Sequence, residues 1–148
     1  MSRRSKISKH LRDKVEQHAK RRCEYCQTTM AISTQRFEVE HIKPLSSGGK
    51  TALNNLALSC RGCNSYKHTQ THALDKISGN HVQLYNPRRD VWEEHFTWGK
   101  VPFLLEGLTA KGRASIEALH LNRPQLVSVR KILQRVHLHP PSLPDKET

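Results

Sequence analysis

Two Cys-x-x-Cys pairs constrain the fold of this chain more than any other feature of its sequence. Cys23 and Cys26 form the first pair, Cys60 and Cys63 form the second, and these are all the cysteines in the chain. Two such pairs on separate knuckles supply four thiolates with the spacing of a tetrahedral Zn²⁺ site. The alternatives are a redox dithiol and unrelated buried thiols, but a thioredoxin-like site needs one pair within a βαβ pattern, which is missing here. The spacing therefore predicts a structural zinc site with a closed coordination shell.

The composition indicates a small hydrophobic core that a structural metal site would stabilise. Hydrophobic residues make up 35% of the 148 residues, and aromatic residues make up 5%. A single domain of this length with so few apolar residues has a small core, which a bound metal can staple. Since the binding energy of a structural zinc site becomes folding energy, zinc would offset the small core.

The charge of the chain predicts a polyanionic partner. Lys and Arg number 25, Asp and Glu number 13, and the formal net charge is +12. A domain this basic usually binds nucleic acid, with an anionic membrane surface as the alternative. No stretch approaches the roughly 18 apolar residues that would span a bilayer, and the basic N-terminus lacks the apolar run of a secretory signal. We therefore expect a cytoplasmic protein, whose reduced thiols favour metal over disulfide.

The beginning of the chain predicts a basic helix. Apolar residues recur every four positions at Ile7, Leu11, Val15 and Ala19, and nearly all other positions are basic or polar. The polar side is either a solvated helix face or a phosphate-contacting one, because phosphate contacts need only positive charge. Both interpretations stay open.

Strand and helix patterns follow this segment. Alternation predicts a strand over residues 36–42, a short apolar run predicts a second strand at residues 56–58, and a helix is expected over residues 63–74. Thr109 is expected to cap a later helix, with a further helix after it. The aromatic residues expected to supply much of the remaining core are Trp92, Phe96, Trp98 and Phe103.

These patterns divide the chain into four segments. Residues 1–22 are the basic N-terminal helix, and residues 23–80 are the core that carries the zinc site. Residues 81–139 are a C-terminal extension that we expect to pack on that core. Residues 140–148 contain three prolines in nine positions and are expected to be disordered.

The groups that phosphodiester hydrolysis requires occur around the two knuckles. Histidine has the intrinsic pKa to deprotonate water near neutral pH, and Glu40 and His41 lie between the cysteine pairs. Alone, a histidine beside a carboxylate is more often structural. Carboxylate and amide oxygens suit Mg²⁺, which stabilises a leaving oxygen, and Asn64 directly follows the second knuckle. Arg61 and Lys67 add basic groups that can hold a phosphate backbone.

These motifs, in this order, resemble an HNH endonuclease of the ββα-metal class. The stretches that carry the resemblance are CEYC, FEVEHIKPLSSGG, LNNLALSC and CRGCNSYK, which lie between residues 23 and 67. The resemblance implies an α+β fold with a ββα core. The later stretches YNPRRDVWEEHFTW and GLTAKGRASIEALHLNRP are similar to C-terminal extensions of stand-alone bacterial HNH proteins.

The resemblance implies a role for each motif residue. His41 would be the general base that activates water, and Glu40 and Asn64 would bind a catalytic Mg²⁺ or Mn²⁺. Asn55 would hydrogen-bond across the loop and hold His41 in orientation, and Lys67 would lie near phosphate. The four cysteines match the zinc-binding variant of the family. Glu40 stands where many members have Asp, which would change how the cation is held. Asn64 stands where many have His, which favours Mg²⁺ or Mn²⁺ over softer metals.

The function that the resemblance implies is metal-dependent hydrolysis of DNA, leaving 5′-phosphate and 3′-hydroxyl ends. The expected partner is double-stranded DNA, with no membrane partner, and the protein is either a monomer or a homodimer. The expected nucleic-acid contacts are Arg21, Arg22, Lys43, Arg61 and Lys67. Two rivals stay open: a non-catalytic zinc-ribbon protein that binds nucleic acid, and a structural protein whose basic helix contacts an acidic partner. Arg88 and Arg89 are explained equally well by DNA contact and by a solvated surface.

Overall fold

The protein has the predicted α+β architecture, as seen in a computed structural model that describes residues 7–142. Predictions that concern residues 1–6 and 143–148 lie outside the described residues. Within the described range, no helix combines the length and the apolar character that crossing a membrane requires.

The described chain forms two compact units. The first consists of residues 7–71 with 86–89, and the second consists of residues 72–85 with 90–142. The predicted core segment 23–80 does not coincide with either unit, because the chain passes into the second unit at His72. The predicted division rests on motifs and composition, and it stays a prediction.

The first unit begins with helix α1, Lys9–His18. Ser8 caps this helix, since the N–H of Leu11 donates to the Ser8 hydroxyl at 3.2 Å. Val15, on the predicted apolar stripe, is fully buried, and Ala19 is buried just after the helix ends. The stripe therefore anchors α1 to the core of its unit.

A β-hairpin followed by a helix forms the centre of the first unit. Strand β1, Glu38–His41, pairs antiparallel with strand β2, Leu56–Ser59, in a register that places His41 opposite Leu56. Strand β2 is buried along its length and packs against α1. Helix α2, Arg61–Lys67, follows β2 directly and packs on β1. These elements form the ββα arrangement that the resemblance implies.

Helix α2 is shorter than the sequence predicts. The prediction of a helix over residues 63–74 is wrong beyond Lys67, because His68 adopts a non-helical backbone conformation with a positive φ of 48° that ends the helix. The chain then forms strand β3, His72–Leu74, which belongs to the second unit and pairs antiparallel with strand β4, His81–Gln83.

The second unit continues with alternating helices and short strands. These elements are α3 at Trp92–His95, β5 at Phe96–Trp98, β6 at Leu105–Gly107, α4 at Ala110–Leu119 and α5 at Pro124–Arg135. Strands β5 and β6 pair antiparallel. Thr109 caps α4 as predicted, because its hydroxyl accepts a hydrogen bond from the N–H of Gly112 at 3.0 Å.

The aromatic residues predicted for this core are buried to different degrees. Trp92 and Phe96 are buried with ring centroids 5.2 Å apart, whereas Trp98 and Phe103 are only partly buried. The buried guanidinium of Arg130 lies 4.9 Å from the centroid of Trp98, within the range of a cation–π contact. The core of the second unit thus contains a buried charged side chain, Arg130, in addition to the buried rings of Trp92 and Phe96.

Candidate metal centre and active site

The four predicted cysteine ligands converge in the first unit. Their sulfur atoms all lie within 4.8 Å of one another, and the sulfurs of Cys26 and Cys60 are 3.8 Å apart. A disulfide bond is about 2.05 Å long, so these are separate thiols. Four sulfur donors within mutual reach can share one ion, and the cluster therefore fits a metal site.

Local backbone geometry positions both knuckles. In the first, the N–H of Cys23 donates to the carbonyl of Thr28 at 2.9 Å, and Gln27 takes a left-handed conformation with φ of 65°. In the second, the sulfur of Cys60 caps α2 by accepting from the N–H of Cys63 at 3.5 Å. One cysteine of the second pair therefore precedes α2, and the other lies in its first turn.

Burial and mutual hydrogen bonds shift the pKa values of the four thiols in opposite directions. Burial raises the pKa of the Cys23 thiol. Hydrogen bonds from the neighbouring thiols, above all that of Cys23, hold the pKa of Cys60 far below its usual value. A bound divalent cation would favour the thiolate form at all four positions, since metal binding releases thiol protons.

Glu24 ties the first knuckle to strand β2, although sequence reasoning did not single it out. Its N–H donates to the Leu58 carbonyl at 2.9 Å, and its carboxylate accepts from the Leu58 N–H at 2.8 Å. The same carboxylate makes a bidentate pair with Arg88, with both N–O distances at 2.7 Å. Arg88 is therefore a buried partner within the first unit and not a solvated surface residue. The position of a charged residue between two cysteines of the candidate metal site is the one sequence signal that could have revealed these contacts.

His41 ends strand β1 with a partly exposed ring. Its Nε2 lies 2.8 Å from the hydroxyl oxygen of Thr51. Its Nδ1 has no hydrogen-bond partner among residues 7–142. Burial lowers the pKa of His41, which favours the neutral imidazole near neutral pH. The ring can therefore accept a proton on a nitrogen that the described residues leave open.

Asn55 holds together the two ends of the loop after β1. Its side-chain oxygen accepts from the N–H of Lys43 at 2.8 Å, and its side-chain nitrogen donates to the carbonyls of Lys43 at 3.0 Å and Lys50 at 2.9 Å. Gly49 is needed at this crossing, because a Cβ there would lie 1.8 Å from the Lys43 carbonyl oxygen. The hydrogen bonds of Asn55 thus go to the loop backbone and do not reach His41 directly.

Glu40 and Lys67 form a buried ion pair between β1 and α2. The Lys67 nitrogen lies 3.4 Å from one Glu40 oxygen and donates to the Ile42 carbonyl at 3.1 Å, and the Tyr25 hydroxyl donates to the other Glu40 oxygen. Burial raises the pKa of Glu40, an effect that the Lys67 ammonium opposes. Lys67 lies on α2 as predicted, but its ammonium points into the interior, so a contact with phosphate would require it to leave Glu40.

Asn64 contacts a different carboxylate of β1, that of Glu38. The side-chain nitrogen of Asn64 donates to a Glu38 oxygen. Glu38 and Glu40 are two residues apart on strand β1, so their side chains lie on the same face of the strand. Asn64 and Lys67 are three residues apart on helix α2, so they lie on the same face of the helix. Glu38 is exposed, whereas Glu40 is buried. Sequence reasoning missed Glu38, although the alternation of β1 placed it beside Glu40.

Basic residues line a cleft next to Glu38 in the first unit. The cleft has a volume of about 430 Å³, and its lining includes Arg12 of α1, Arg36, Glu38 and Arg61. The guanidinium of Arg61 donates to the Gln35 side chain at 2.9 Å. The other predicted nucleic-acid contacts lie elsewhere along the unit: Arg21 and Arg22 connect α1 to the first knuckle, and Lys43 is exposed after β1.

Comparison with known proteins matches this region to one family. Residues 23–70 match the family model of the HNH endonuclease, which covers both cysteine pairs and the whole ββα arrangement. The chain is also similar to the Septu protein PtuB of Bacillus thuringiensis, with 26% identity over 111 residues. The similar region covers 69% of this chain but only 37% of that relative. The resemblance seen in the sequence is thereby confirmed for the segment that holds the candidate site.

Proposed function

Since the chain carries an HNH endonuclease domain at residues 23–70, we propose that it is a metal-dependent nuclease that hydrolyses DNA phosphodiester bonds. The observation that carries the proposal is the state of His41. It ends β1 with one ring nitrogen held by Thr51 and the other open, and burial lowers its pKa. A neutral imidazole with an open nitrogen is what a general base for water requires.

His41 takes a proton from a water molecule as the water oxygen attacks phosphorus. The bond from phosphorus to the 3′ oxygen breaks, and that oxygen leaves with the bonding electrons and is then protonated. The products carry a 5′-phosphate and a 3′-hydroxyl. A bound Mg²⁺ or Mn²⁺ supplies charge neutralisation on the phosphate and on the leaving oxygen.

The side chains beside β1 support one choice of ligands for this proposed cation over another. Asn64 offers an amide oxygen, as predicted, and hard cations prefer carboxylate and amide oxygens. The predicted carboxylate, Glu40, fits less well, because its two oxygens face the Lys67 ammonium and the Tyr25 hydroxyl. Glu38 is exposed and already contacts Asn64. We therefore favour Glu38 with Asn64 as the cation ligands and Glu40 as a buried partner of Lys67.

A zinc ion is the proposed occupant of the four-cysteine cluster. Four thiolates leave no open coordination position, so this ion would stabilise the fold and would not activate water. Cys63 directly precedes Asn64 on α2, and the zinc would thereby help to position a ligand of the catalytic cation. Both metals would act on the same helix.

The basic cleft beside Glu38 supports DNA as the substrate. Arg12, Arg36 and Arg61 line it, and guanidinium groups bind phosphate in a bidentate way. A net charge of +12 adds long-range attraction to a polyanion. The predicted contacts at Arg21, Arg22 and Lys43 belong to the same proposal.

Cleavage of plasmid DNA tests the proposed function. Purified protein with Mg²⁺ or Mn²⁺ is expected to nick or linearise supercoiled DNA, and chelation of the divalent cation is expected to stop it. His41→Ala should lose cleavage, whereas His81→Ala, at an exposed histidine on β4, should cleave as the wild type does. If His41→Ala cleaves equally well, His41 is not the base. DNA binding that falls with salt, without cleavage under any metal, would instead support the non-catalytic zinc-ribbon protein.

A further inference from the structure

The hydroxyl of Thr51 contacts Nε2 of His41, the ring nitrogen other than the open Nδ1. The Nε2 to Oγ1 distance is 2.8 Å, which is a normal hydrogen bond. We propose that Thr51 is a positioning residue that fixes the orientation and the tautomer of His41. This inference rests on the proposed nuclease function, because it concerns how the general base is prepared.

Only one tautomer of His41 allows it to act as a base in this arrangement. Nε2 is engaged by Thr51, so a water molecule can be deprotonated only by Nδ1. Nδ1 must then carry the lone pair, and Nε2 must carry the proton and donate to the Thr51 oxygen. In the opposite arrangement the Thr51 hydroxyl would donate to Nε2, and Nδ1 would be protonated and unable to accept. A threonine hydroxyl can donate or accept, so the contact is compatible with both arrangements; in the proposed role Thr51 is the acceptor, which leaves Nδ1 reactive.

The loop after β1 explains how Thr51 is held in place. Asn55 accepts from the N–H of Lys43 and donates to the carbonyl of Lys50, the residue directly before Thr51. The loop turns at Gly48 with φ of 88°, and at Gly49 it passes too close to the Lys43 carbonyl for any side chain. Asn55 therefore fixes the two ends of the loop, and its influence on His41 passes through the position of Thr51.

The hydrogen bond between His41 and Thr51 can persist after His41 has taken up a proton. When Nδ1 takes the proton from water, His41 becomes an imidazolium with protons on both nitrogens. The Nε2–H still donates to Thr51 Oγ1, and a hydrogen bond from a charged donor is stronger than one from a neutral donor. Thr51 therefore stabilises the ring in the state that forms during the reaction, without contacting the substrate.

Paired substitutions at Thr51 test this inference through cleavage kinetics. Thr51→Val keeps the shape but removes the oxygen, and kcat is expected to fall on the order of 10- to 100-fold with KM little changed. Thr51→Ser restores the oxygen and is expected to recover most of kcat. Thr34→Val, at an exposed threonine before β1, serves as the control and should leave kcat unchanged. Equal melting temperatures would show that the variants remain folded.

Nitrogen-15 NMR of the His41 ring provides a readout that does not depend on activity. The wild type is expected to show the proton on Nε2, and Thr51→Val is expected to show a mixture of tautomers. A wild-type ring protonated on Nδ1, or full kcat in Thr51→Val while His41→Ala is inactive, would overturn the Thr51 proposal alone. If His41→Ala cleaves like the wild type, the proposed function fails and the positioning role fails with it.

Discussion

Substitution of Lys67 by methionine is expected to destabilise the first unit strongly. The side chains of Lys67 and Glu40 are 1% and 5% exposed, so solvent does not screen the pair. Methionine keeps the unbranched chain and its packing but removes the charge and the hydrogen bond to the Ile42 carbonyl. Removal of one partner from a buried ion pair typically costs about 3–5 kcal/mol, because the remaining charge is buried without compensation. That is a large share of the free energy of unfolding of a typical domain.

The loss of folding stability in Lys67→Met should depend on pH, because the buried carboxyl of Glu40 titrates. Because burial raises the pKa of Glu40, folded protein keeps a proton that the unfolded chain releases, and stability falls as pH rises through the interval between the two pKa values. Without the Lys67 ammonium, which lowers the pKa of Glu40, this interval extends to higher pH. The destabilisation of Lys67→Met relative to the wild type should therefore increase as the pH rises above the ordinary pKa of a glutamate.

Urea unfolding of zinc-loaded protein, followed by circular dichroism, measures these differences. Lys9→Met is the control, since Lys9 pairs with Asp13 at 3.1 Å on the exposed side of α1 and should cost less than about 1 kcal/mol. The double variant with Glu40→Gln should recover much of the loss, because no charge then remains buried. If Lys67→Met costs no more than Lys9→Met, or its cost shrinks towards high pH, the buried pair does not stabilise the fold as described.

Two further predictions distinguish the proposed zinc site from the proposed site of the catalytic cation. Cys60→Ser is expected to lose bound zinc and folded structure together, whereas Asn64→Ala is expected to keep one zinc per chain and lose cleavage; zinc analysis and circular dichroism of both variants check this. Glu38→Gln is expected to weaken Mn²⁺ binding by about tenfold or more, measured by titration calorimetry on zinc-loaded protein. Glu40→Gln breaks the buried pair with Lys67 and should weaken Mn²⁺ binding less than Glu38→Gln does; the reverse order would restore Glu40 as the ligand.

The sequence predicts those parts of the first unit that follow from the spacing of cysteines and apolar residues along the chain. The two cysteine pairs, the strands and the start of α2 follow from short-range patterns, and each is found close to its predicted place. The end of α2 could not be predicted in this way. Its polar sequence continues past Lys67 without a break, and the helix ends at the positive-φ backbone of His68, before the chain enters β3.

Burial explains why the candidate site was predicted only in part. The motif identifies Glu40, but a sequence does not reveal which of two acids on one strand face is desolvated. The structure buries Glu40 against Tyr25 and Lys67 and leaves Glu38 exposed beside Asn64. Likewise, Arg88 is far from Glu24 along the chain, and their bidentate contact depends on the segment 86–89 returning to the first unit.

Helix α2 connects the stability of the protein to its proposed chemistry within seven residues. Cys60 caps the helix and Cys63 lies in its first turn, so the thiol cluster fixes where the helix begins and how it is rotated. Asn64 and Lys67 then face β1 together, one towards the exposed Glu38 and the other towards the buried Glu40. The buried pair links the helix to the strand, and in the proposed site the exposed pair would supply the oxygen ligands of the cation. Loss of either the proposed zinc or the Lys67 charge should therefore weaken binding of the proposed catalytic cation, although neither change removes one of its ligands.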